Sequence, residues 1–165
     1  FIRAFLHTFG QNRSEKDRQW LITRFKHAFE KERKAFVAGT GDICFIRASK
    51  GERVIGYASF QPTKIDGLVY ARQLAVDPDA GRSGIGSQLI VAFVNLFPPA
   101  QRMVLLTRMD NTASRTLYEK KLGLKQSTFI NARYPTNSYV SYEIDASAAR
   151  SQCWLNEVIK TKDTV

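Results

Sequence analysis

The residues with the clearest chemical potential are three glycines in the stretch DAGRSGIGSQLI, at Gly81, Gly84 and Gly86. They lie between a strand-like run and a helix-like run. Glycine allows the backbone to adopt positive φ and to approach a ligand closely, and the N–H groups at the start of a helix bind phosphate oxygens. The spacing therefore predicts a loop that holds a phosphate-bearing ligand.

Two common phosphate-binding motifs do not fit this loop. A nucleotide P-loop requires Lys and then Ser or Thr after its last glycine, whereas Ser87 and Gln88 follow Gly86. A dinucleotide-binding fingerprint read from Gly84 places Leu89 where a third glycine must let the helix pack on the strand. Phosphoryl transfer and hydride transfer are therefore excluded as roles of this loop.

A second candidate motif is NTASRTLYEKKLGLK, residues 111–125. Asn111 can cap a helix that ends at Gly123. Tyr118 carries a hydroxyl that can donate a proton. Considered alone, the cap explains Asn111, and packing at the edge of a sheet explains Tyr118.

The hydrophobic pattern predicts the elements that position these motifs. Predicted strands are Ile43–Ala48, Arg53–Phe60, Leu68–Val76, Met103–Met109, Lys125–Ile130 and Ser138–Asp145. Predicted helices are Phe1–Phe9, Gly84–Phe97 and Thr112–Gly123, and Pro98 and Pro99 stop the second of these. A long helix begins at Ser14 and ends at Gly39–Gly41. A tail helix is predicted around Trp154, Leu155, Val158 and Ile159. The buried face predicted for the long helix is Leu21, Phe25, Ala28, Phe29 and Phe36.

The order of these elements predicts an α/β fold, a layered α+β domain with a mixed, mostly antiparallel central sheet flanked by helices. We predict one domain over residues 1–165. Its parts are the N-terminal helices (1–39), a core with the glycine loop (43–124), and C-terminal strands with the tail helix (125–165).

Composition restricts the classes of function. The chain of 165 residues has a net charge of +10, which attracts polyanions. No apolar run is long enough to cross a bilayer. Cys44 and Cys153 are neither spaced for a metal nor numerous enough for a disulfide framework, so we predict no metal and a cytoplasmic location. The chain begins at Phe1 rather than Met, as expected if a preceding segment has been removed.

Both motifs resemble those of one family, the GNAT superfamily of acetyl-CoA-dependent N-acetyltransferases. LAVDPDAGRSGIGSQLI (74–90) resembles its CoA-pyrophosphate strand, loop and helix, and 111–125 resembles its N-x-x-A-x-x-L-Y-x-K-x-G-F signature. The resemblance covers roughly Ile43 to Asp145. The sequence departs from the family in having Gly81 in place of Gln or Arg and Leu124 in place of Phe, and the family's first strand has no clear counterpart, being either truncated or absent.

The resemblance implies that acetyl-CoA is the cofactor and that an amine is the acceptor. The family pattern implies that Tyr118 protonates the departing CoA thiolate. Asn111 would cap its helix or touch the cofactor arm. The resemblance implies that the pantetheine arm of the cofactor bonds to the backbone of Leu74, Ala75 and Val76. It implies that the pyrophosphate is bound by the backbone amides of Arg82, Ser83, Gly84, Ile85, Gly86 and Ser87. The Arg82 side chain would also supply positive charge there.

The general base and the acceptor stay open at this stage. The strand Leu68–Val76 contains no acid, so Glu143, Asp145 or a chain of waters remains, and neither His7 nor His27 is assigned a role. In the family the acceptor lies between the N-terminal helices, here about Phe9–Arg24, and the loop Ile130–Ser138, which includes Arg133 and Tyr134. The scarcity of acids argues against a polyamine or an aminoglycoside.

Two functions from different classes follow. The first is transfer of an acetyl group from acetyl-CoA to a primary amine of a small molecule or peptide, by a monomer or homodimer that does not bind nucleic acid. The alternative is a catalytically weak, basic module that binds CoA or another polyanion. The retained Tyr118 and the glycine loop favour the enzyme.

Overall fold

The computed structural model describes residues 2–9, 13–39, 42–96, 102–130, 134 and 137–146. The predicted tail helix and the predicted stop at Pro98 and Pro99 lie outside these residues. The helices are α1 (Ile2–Phe9), α2 (Glu15–Val37), α3 (Ile85–Leu96), α4 (Thr112–Arg115) and a π-helical turn (Thr116–Lys121). The strands are β1 (Cys44–Lys50), β2 (Arg53–Pro62), β3 (Leu68–Val76), β4 (Arg102–Arg108), β5 (Lys125–Ser127) and β6 (Tyr139–Asp145).

The six strands form one sheet in the order β1-β2-β3-β4-β6-β5. Only the β3–β4 pair is parallel, and the other neighbours are antiparallel. The prediction of a mixed, mostly antiparallel sheet flanked by helices is confirmed. The described residues before α2 form α1 instead of a strand, so β1 is the edge of the sheet in the described part of the chain.

The main core lies between α3 and one side of the sheet. Phe60 of β2 stacks on Phe93 of α3 with ring centroids 3.7 Å apart, and both side chains are 1% exposed. Ala58 of β2 belongs to the same cluster. Because side chains alternate along a strand, Tyr57 and Ser59 face the opposite side of the sheet, towards α2.

The long helix α2 begins as predicted but packs less than predicted. Ser14 Oγ accepts a hydrogen bond from the Asp17 N–H at 3.1 Å and donates one to Asp17 Oδ2 at 2.7 Å, which caps the helix. Leu21 is buried, whereas Ala28 is exposed and Phe29 is 42% exposed. The prediction that Ala28 and Phe29 are buried is wrong, because Phe29 lines a cavity between α2 and the sheet and Ala28 lies on an exposed part of the helix.

Other differences concern the second motif and the element ends. The helix predicted over Thr112–Gly123 is α-helical for one turn only, and the Leu122 N–H then bonds to Leu117 O, five residues back, at 3.0 Å. Gly123 has φ 62°, as its predicted role as a stop requires. The strand predicted over Lys125–Ile130 ends at Ser127.

Candidate active site

β3 and β4 separate part-way along their length. They pair from Leu68 with Arg102 to Ala71 with Leu105. β3 then continues to Val76 and β4 to Arg108 without further pairing to each other. The backbone edges of both strands therefore line a wedge-shaped opening that widens towards the glycine loop.

A β-bulge lies where this opening begins. In the register of β2 and β3, Ser59 aligns with Gln73 and Phe60 aligns with Ala71, so Arg72 is the extra residue. A bulge bends its strand and redirects the side chains that follow. Hydrophobic alternation in the sequence gives no signal for this feature.

The glycine loop connects β3 to α3, and its glycines have different roles. Gly84 has φ 80°, and a Cβ built on it would meet nothing within 4 Å. Gly81 has φ −62°, so it does not use the positive φ that glycine permits. Arg82 has φ 62°, a conformation that is uncommon for a residue with a side chain. The positive φ that glycine allows is therefore used at Gly84 but not at Gly81.

The other predicted residues of the loop lie at the start of α3. Ile85 and Ser87 are each 8% exposed, whereas Arg82 and Ser83 are exposed. The first N–H groups of a helix have no partner within that helix. The side chains of Ile85 and Ser87 are thus packed inside the protein, and only their main chain is available at this terminus.

An ion-pair cluster anchors the loop, and sequence reasoning missed it. The Asp77 side chain is 12% exposed and accepts hydrogen bonds from Arg53 at 2.7 Å and from Arg3 at 3.2 Å. Asp77 Oδ1 also accepts the Asp79 N–H at 3.1 Å and so caps the turn that follows β3. The sequence DPD was a usable signal for the cap, but nothing local indicated the two arginines.

The second motif follows β4, the strand on the other side of the opening. Asn111 Oδ1 accepts the Ser114 N–H at 3.2 Å, which confirms the predicted cap of α4. Tyr118 lies on the π-helical turn and is 5% exposed. Its ring lies 5.3 Å from that of Tyr142 on β6.

Burial governs the acidity of Tyr118. It raises the pKa of the hydroxyl to about 12, and a hydrogen bond with Ser114 acts in the opposite direction. Tyr118 therefore stays protonated at neutral pH. Ser114 occupies the alanine position of the N-x-x-A signature, and sequence reasoning did not select it.

Beside Tyr118, a charged network holds Tyr142. The Tyr142 hydroxyl donates to Glu119 Oε1 at 2.5 Å, and Arg115 Nη2 lies 3.3 Å from the same oxygen. Burial, followed by this hydrogen bond to Glu119, raises the pKa of Tyr142. These three side chains fix the ring against which Tyr118 packs.

The acids considered as general bases lie away from the opening. Glu143 is opposite Val104 and Asp145 is opposite Arg102, at the end where β3 and β4 are still paired. Glu143 also accepts hydrogen bonds from Arg102 Nη1 at 3.2 Å and from Ser127 Oγ at 3.1 Å. Neither acid is brought to the place where the strands separate.

A cavity of about 920 Å³ lies on the α2 side of the sheet. Its walls include Phe25 and Phe29 of α2, Tyr57 of β2 and Ala75 of β3. The acceptor was predicted near Phe9–Arg24 and Ile130–Ser138, and most of the second range, including Arg133, lies outside the described residues. Of the two histidines, His27 lines the cavity and His7 does not.

Two features are absent from the described ranges. No described helix is both long and apolar enough to cross a membrane. Within the same residues, no three His, Cys, Asp or Glu side chains cluster in a way that could hold a metal ion.

The comparison with protein families agrees with this geometry. The model of the Acetyltransferase (GNAT) family matches residues 9–124. The chain belongs to this family. It is therefore an acyltransferase, and the prediction made from the two motifs is confirmed.

Individual relatives are more distant. The ribosomal protein bS18-alanine N-acetyltransferase of Salmonella typhimurium is 28% identical over 120 residues, which cover 71% of this chain and 79% of the relative. PaiA N-acetyltransferase from Thermoplasma acidophilum, solved with coenzyme A, has a TM-score of 0.70 at 20% identity, with 87% of each chain covered. The ribosomal-protein-S18-alanine N-acetyltransferase from Escherichia coli has a TM-score of 0.54 at 23% identity, over 67% of this chain and 74% of that one. These two solved structures share the fold of this chain. Acetyltransferases of this fold have been solved with CoA or acetyl-CoA.

Proposed function

We propose that this protein transfers the acetyl group of acetyl-CoA to a primary amine of a small molecule or peptide. The observation that carries the proposal is the separation of β3 from β4 after Ala71 and Leu105, directly beside the glycine loop. An extended thioester arm needs a strand edge with unused hydrogen-bonding groups, and its pyrophosphate needs a cluster of N–H donors. The opening and the loop supply both at adjacent positions.

The pantetheine arm binds along β3. Leu74, Ala75 and Val76 pair with β2 on one side and do not pair with β4 on the other. Their N–H and C=O groups on the β4 side can therefore bond to the amides of the arm. The side chain of Ala75 is buried, so the contact is through the main chain.

The pyrophosphate binds at the start of α3. The amides from Arg82 to Ser87 surround this terminus, and the helix dipole favours negative charge there. The open space next to the Gly84 Cα accommodates the phosphate oxygens. The exposed guanidinium of Arg82 adds a positive charge at the same place.

Tyr118 acts on the departing thiolate. Transfer of its proton from a group of pKa about 12 to a thiolate of ordinary pKa about 8.5 is uphill by about 5 kcal/mol. The pKa of about 12 already includes the hydrogen bond with Ser114, which keeps this cost from being larger because a hydroxyl that donates to the phenolate stabilises it. Tyr118 therefore begins as a hydrogen-bond donor to the developing thiolate and completes the transfer as the C–S bond breaks.

The charges around the cavity favour an acceptor that is not a polycation. Glu30 and Asp77 line it, but Glu30 bonds to Arg33 at 2.6 Å and Asp77 bonds to Arg53. Their negative charges are already compensated, Arg3 and Lys26 also line the cavity, and most of the other walls are apolar or aromatic. Two relatives are named as ribosomal protein S18-alanine N-acetyltransferases, and these names support a peptide that begins with alanine as one acceptor to test first.

Thermal unfolding with and without millimolar acetyl-CoA tests cofactor binding. A ligand that binds only the folded state raises the melting temperature. Gly84→Asp should abolish this increase, because the carboxylate enters the phosphate site. Gly39→Asp is the matched control, since Gly39 has φ 64° and open space around its Cα but lies beyond the end of α2.

The outcomes separate the two functions. An unchanged melting temperature in wild type would refute cofactor binding. A shift together with turnover of an alanine-starting peptide or another amine supports the enzyme. A shift without turnover of any amine in a broad panel supports the alternative, a module that binds CoA without catalysis.

A further inference from the structure

Ser59 carries a buried hydroxyl that no described residue satisfies. Its side chain is 0% exposed, and its Oγ has no hydrogen-bond partner among the described residues. A buried polar atom without a partner is rare, and it commonly marks the position of an ordered water. Serine also offers no packing advantage over alanine in the middle of a strand. The hydroxyl therefore indicates a bound water.

The position of Ser59 relates this water to the reaction. Ser59 aligns with Gln73 across the β2–β3 pair, next to the bulge at Arg72. Residues directly opposite in an antiparallel pair have Cβ atoms about 4.5–5.5 Å apart, which is a separation that one water can bridge. Gln73 is also among the first residues of β3 beyond the last pair with β4. Gln73 thus lies where the wedge-shaped opening begins, and Ser59 lies next to it on β2.

Gln73 is held in one orientation by a third side chain. The Tyr57 hydroxyl donates to Gln73 Oε1 at 2.9 Å, so the amide N–H groups of Gln73 point elsewhere. Tyr57 also lines the cavity beneath α2. Tyr57, Gln73 and Ser59 therefore share one face of the sheet, with Tyr57 at the cavity, Gln73 on the strand that borders the opening, and Ser59 beside Gln73 on β2. A water needs two to four polar partners, and these side chains provide them.

The reaction has a step that needs such a water. An alkylamine of pKa about 10.4 is mostly protonated at neutral pH and must lose a proton before it can attack. β3 contains no acid, Glu143 and Asp145 lie at the end where β3 and β4 are still paired, and the carboxylates of the cavity are ion-paired with arginines. An amide such as Gln73 does not accept the proton itself. It can only position the molecule that does.

We propose that Ser59 and Gln73 hold an ordered water that receives the proton of the acceptor ammonium and releases it through the cavity to solvent. This rests on the proposed acetyl transfer. Ser59 and Gln73 are positioning residues, because the water rather than either side chain takes the proton.

The protons balance in this scheme. The ammonium loses one proton to the water, and its neutral nitrogen attacks the thioester carbonyl to form the C–N bond. The tetrahedral intermediate breaks its C–S bond, and the CoA thiolate takes the proton of Tyr118. The second proton of the amine nitrogen then returns Tyr118 to its protonated form. The products are the amide, CoA as a thiol and one proton in solvent.

Kinetics of Ser59→Ala test the role of the hydroxyl. With an alanine-starting peptide, whose α-amine of pKa about 8 is roughly nine-tenths protonated at pH 7, we expect kcat/KM at pH 7 to fall by about tenfold, because the fraction that is already neutral reacts without the water. The loss should shrink as pH approaches the pKa of the α-amine, about 8, because a neutral amine needs no acceptor for its proton. Gln73→Glu in the Ser59→Ala background should restore most of the rate at pH 7, since a carboxylate can take the proton directly.

Ser141→Ala is the matched control. Ser141 is also a buried serine of the sheet, but its hydroxyl is satisfied because it donates to Ser127 O at 2.7 Å. This variant should lose stability and keep the wild-type pH profile. An unchanged pH profile in Ser59→Ala, or equal changes in both variants, overturns the proposal.

A high-resolution crystal structure decides the same point without any substrate. Wild type should contain a water within hydrogen-bond distance of Ser59 Oγ and Gln73, and Ser59→Ala should lack it. A dry Ser59 in wild type overturns the proposal even if acetyl transfer is demonstrated. A bound water in a protein that fails to bind acetyl-CoA refutes the proposed function instead, and with it the role of the water.

Discussion

Gly86 lies directly against Leu117. A Cβ on Gly86 would come within 3.1 Å of Leu117 Cδ2 and 3.9 Å of Val76 Cγ2. The first turn of α3 is thus in contact with the π-helical turn that carries Tyr118. Gly86 permits this close approach between the cofactor loop and the second motif, whereas Gly84 provides the positive φ of the loop.

Gly86→Ala should therefore disturb the helix that carries Tyr118. Overpacking should lower the free energy of unfolding by about 1–3 kcal/mol. The better helix propensity of alanine should raise it by about 0.5–1 kcal/mol. We expect a modest loss of stability and a lower kcat as Leu117 shifts. Denaturant unfolding and steady-state kinetics measure the two effects.

Gly84→Ala is the comparison for this variant. Its added methyl contacts nothing, but the left-handed backbone costs about 1–2 kcal/mol. It should weaken acetyl-CoA binding and leave kcat nearly unchanged. If Gly86→Ala also changes only the KM for acetyl-CoA, then a shift of Leu117 does not alter the position of Tyr118.

The positive charge of Arg82 should strengthen CoA binding, whereas its positive φ should lower the stability of the protein. Arg82→Ala should weaken CoA binding by about 1–3 kcal/mol, the range for a lost charge-assisted bond. Arg82→Gly removes the same charge but relieves the φ of 62°, so it should be the more stable of the two variants. Calorimetric titration with CoA and thermal unfolding separate binding from stability.

Salt provides the decisive comparison for Arg82. Added salt should weaken CoA binding to wild type more than to either variant, because screening acts on the charge that the variants lack. Lys64→Ala, which removes an exposed charge from the β2–β3 connection, should keep the wild-type salt dependence. Equal salt dependence in wild type and Arg82→Ala would remove the Arg82 side chain from the site.

The ion-pair cluster at Asp77 should make stability depend on pH. Hydrogen bonds from Arg53 and then from the Asp79 N–H lower the pKa of Asp77 in the folded protein. Its stabilising contribution is therefore fully present above the unfolded pKa of about 3.9 and is lost as pH falls through the lower folded value. Asp77→Asn keeps an oxygen for the Asp79 N–H and removes only the charge.

Melting temperatures between pH 3 and pH 7 test this contribution. Asp77→Asn should melt below wild type at pH 7, and the difference should close at the acid end. Asp79→Asn should have a smaller effect, because the Asp79 side chain is 62% exposed and that of Asp77 is 12% exposed. A difference that stays constant with pH would show that the charge of Asp77 does not contribute.

The sequence predicts the elements well where local patterns determine them. β3 is Leu68–Val76, as its apolar run indicates, and the Ser14 cap and the Gly123 stop follow from local hydrogen bonding and φ. The bulge at Arg72 was not predictable in the same way. It depends on how β3 aligns with β2, and residues far apart in the chain determine that alignment.

The same limit applies to the candidate site. The glycine loop and Tyr118 were selected from spacing and from the family resemblance. Ser59 was not, because a serine in a strand is unremarkable until its burial and its missing partner are visible. The exposure of Phe29 likewise depends on the cavity between α2 and the sheet, which helical periodicity cannot reveal. The roles of the cofactor-binding residues and of Tyr118 stay predictions.

Tyr118→Phe tests the last chemical step. Phenylalanine keeps the ring that packs on Tyr142 but removes the proton, so kcat should fall by about 10²–10⁴-fold. The lost hydrogen bond with Ser114 costs only about 1 kcal/mol of stability. Acetyl-CoA affinity should be nearly unchanged, as equilibrium titration with CoA can verify.

Tyr142→Phe is the control for this variant, because it also removes a hydroxyl from the same pair of rings. It breaks the hydrogen bond to Glu119, so it should lower the melting temperature while kcat stays near the wild-type value. Because the pKa of Tyr118 is about 12, wild-type kcat should show no alkaline decrease from this residue below about pH 10. If kcat of Tyr118→Phe is unchanged when chemistry limits the rate, the thiolate takes its proton from water, and Tyr118 serves only to pack the π-helical turn against β6.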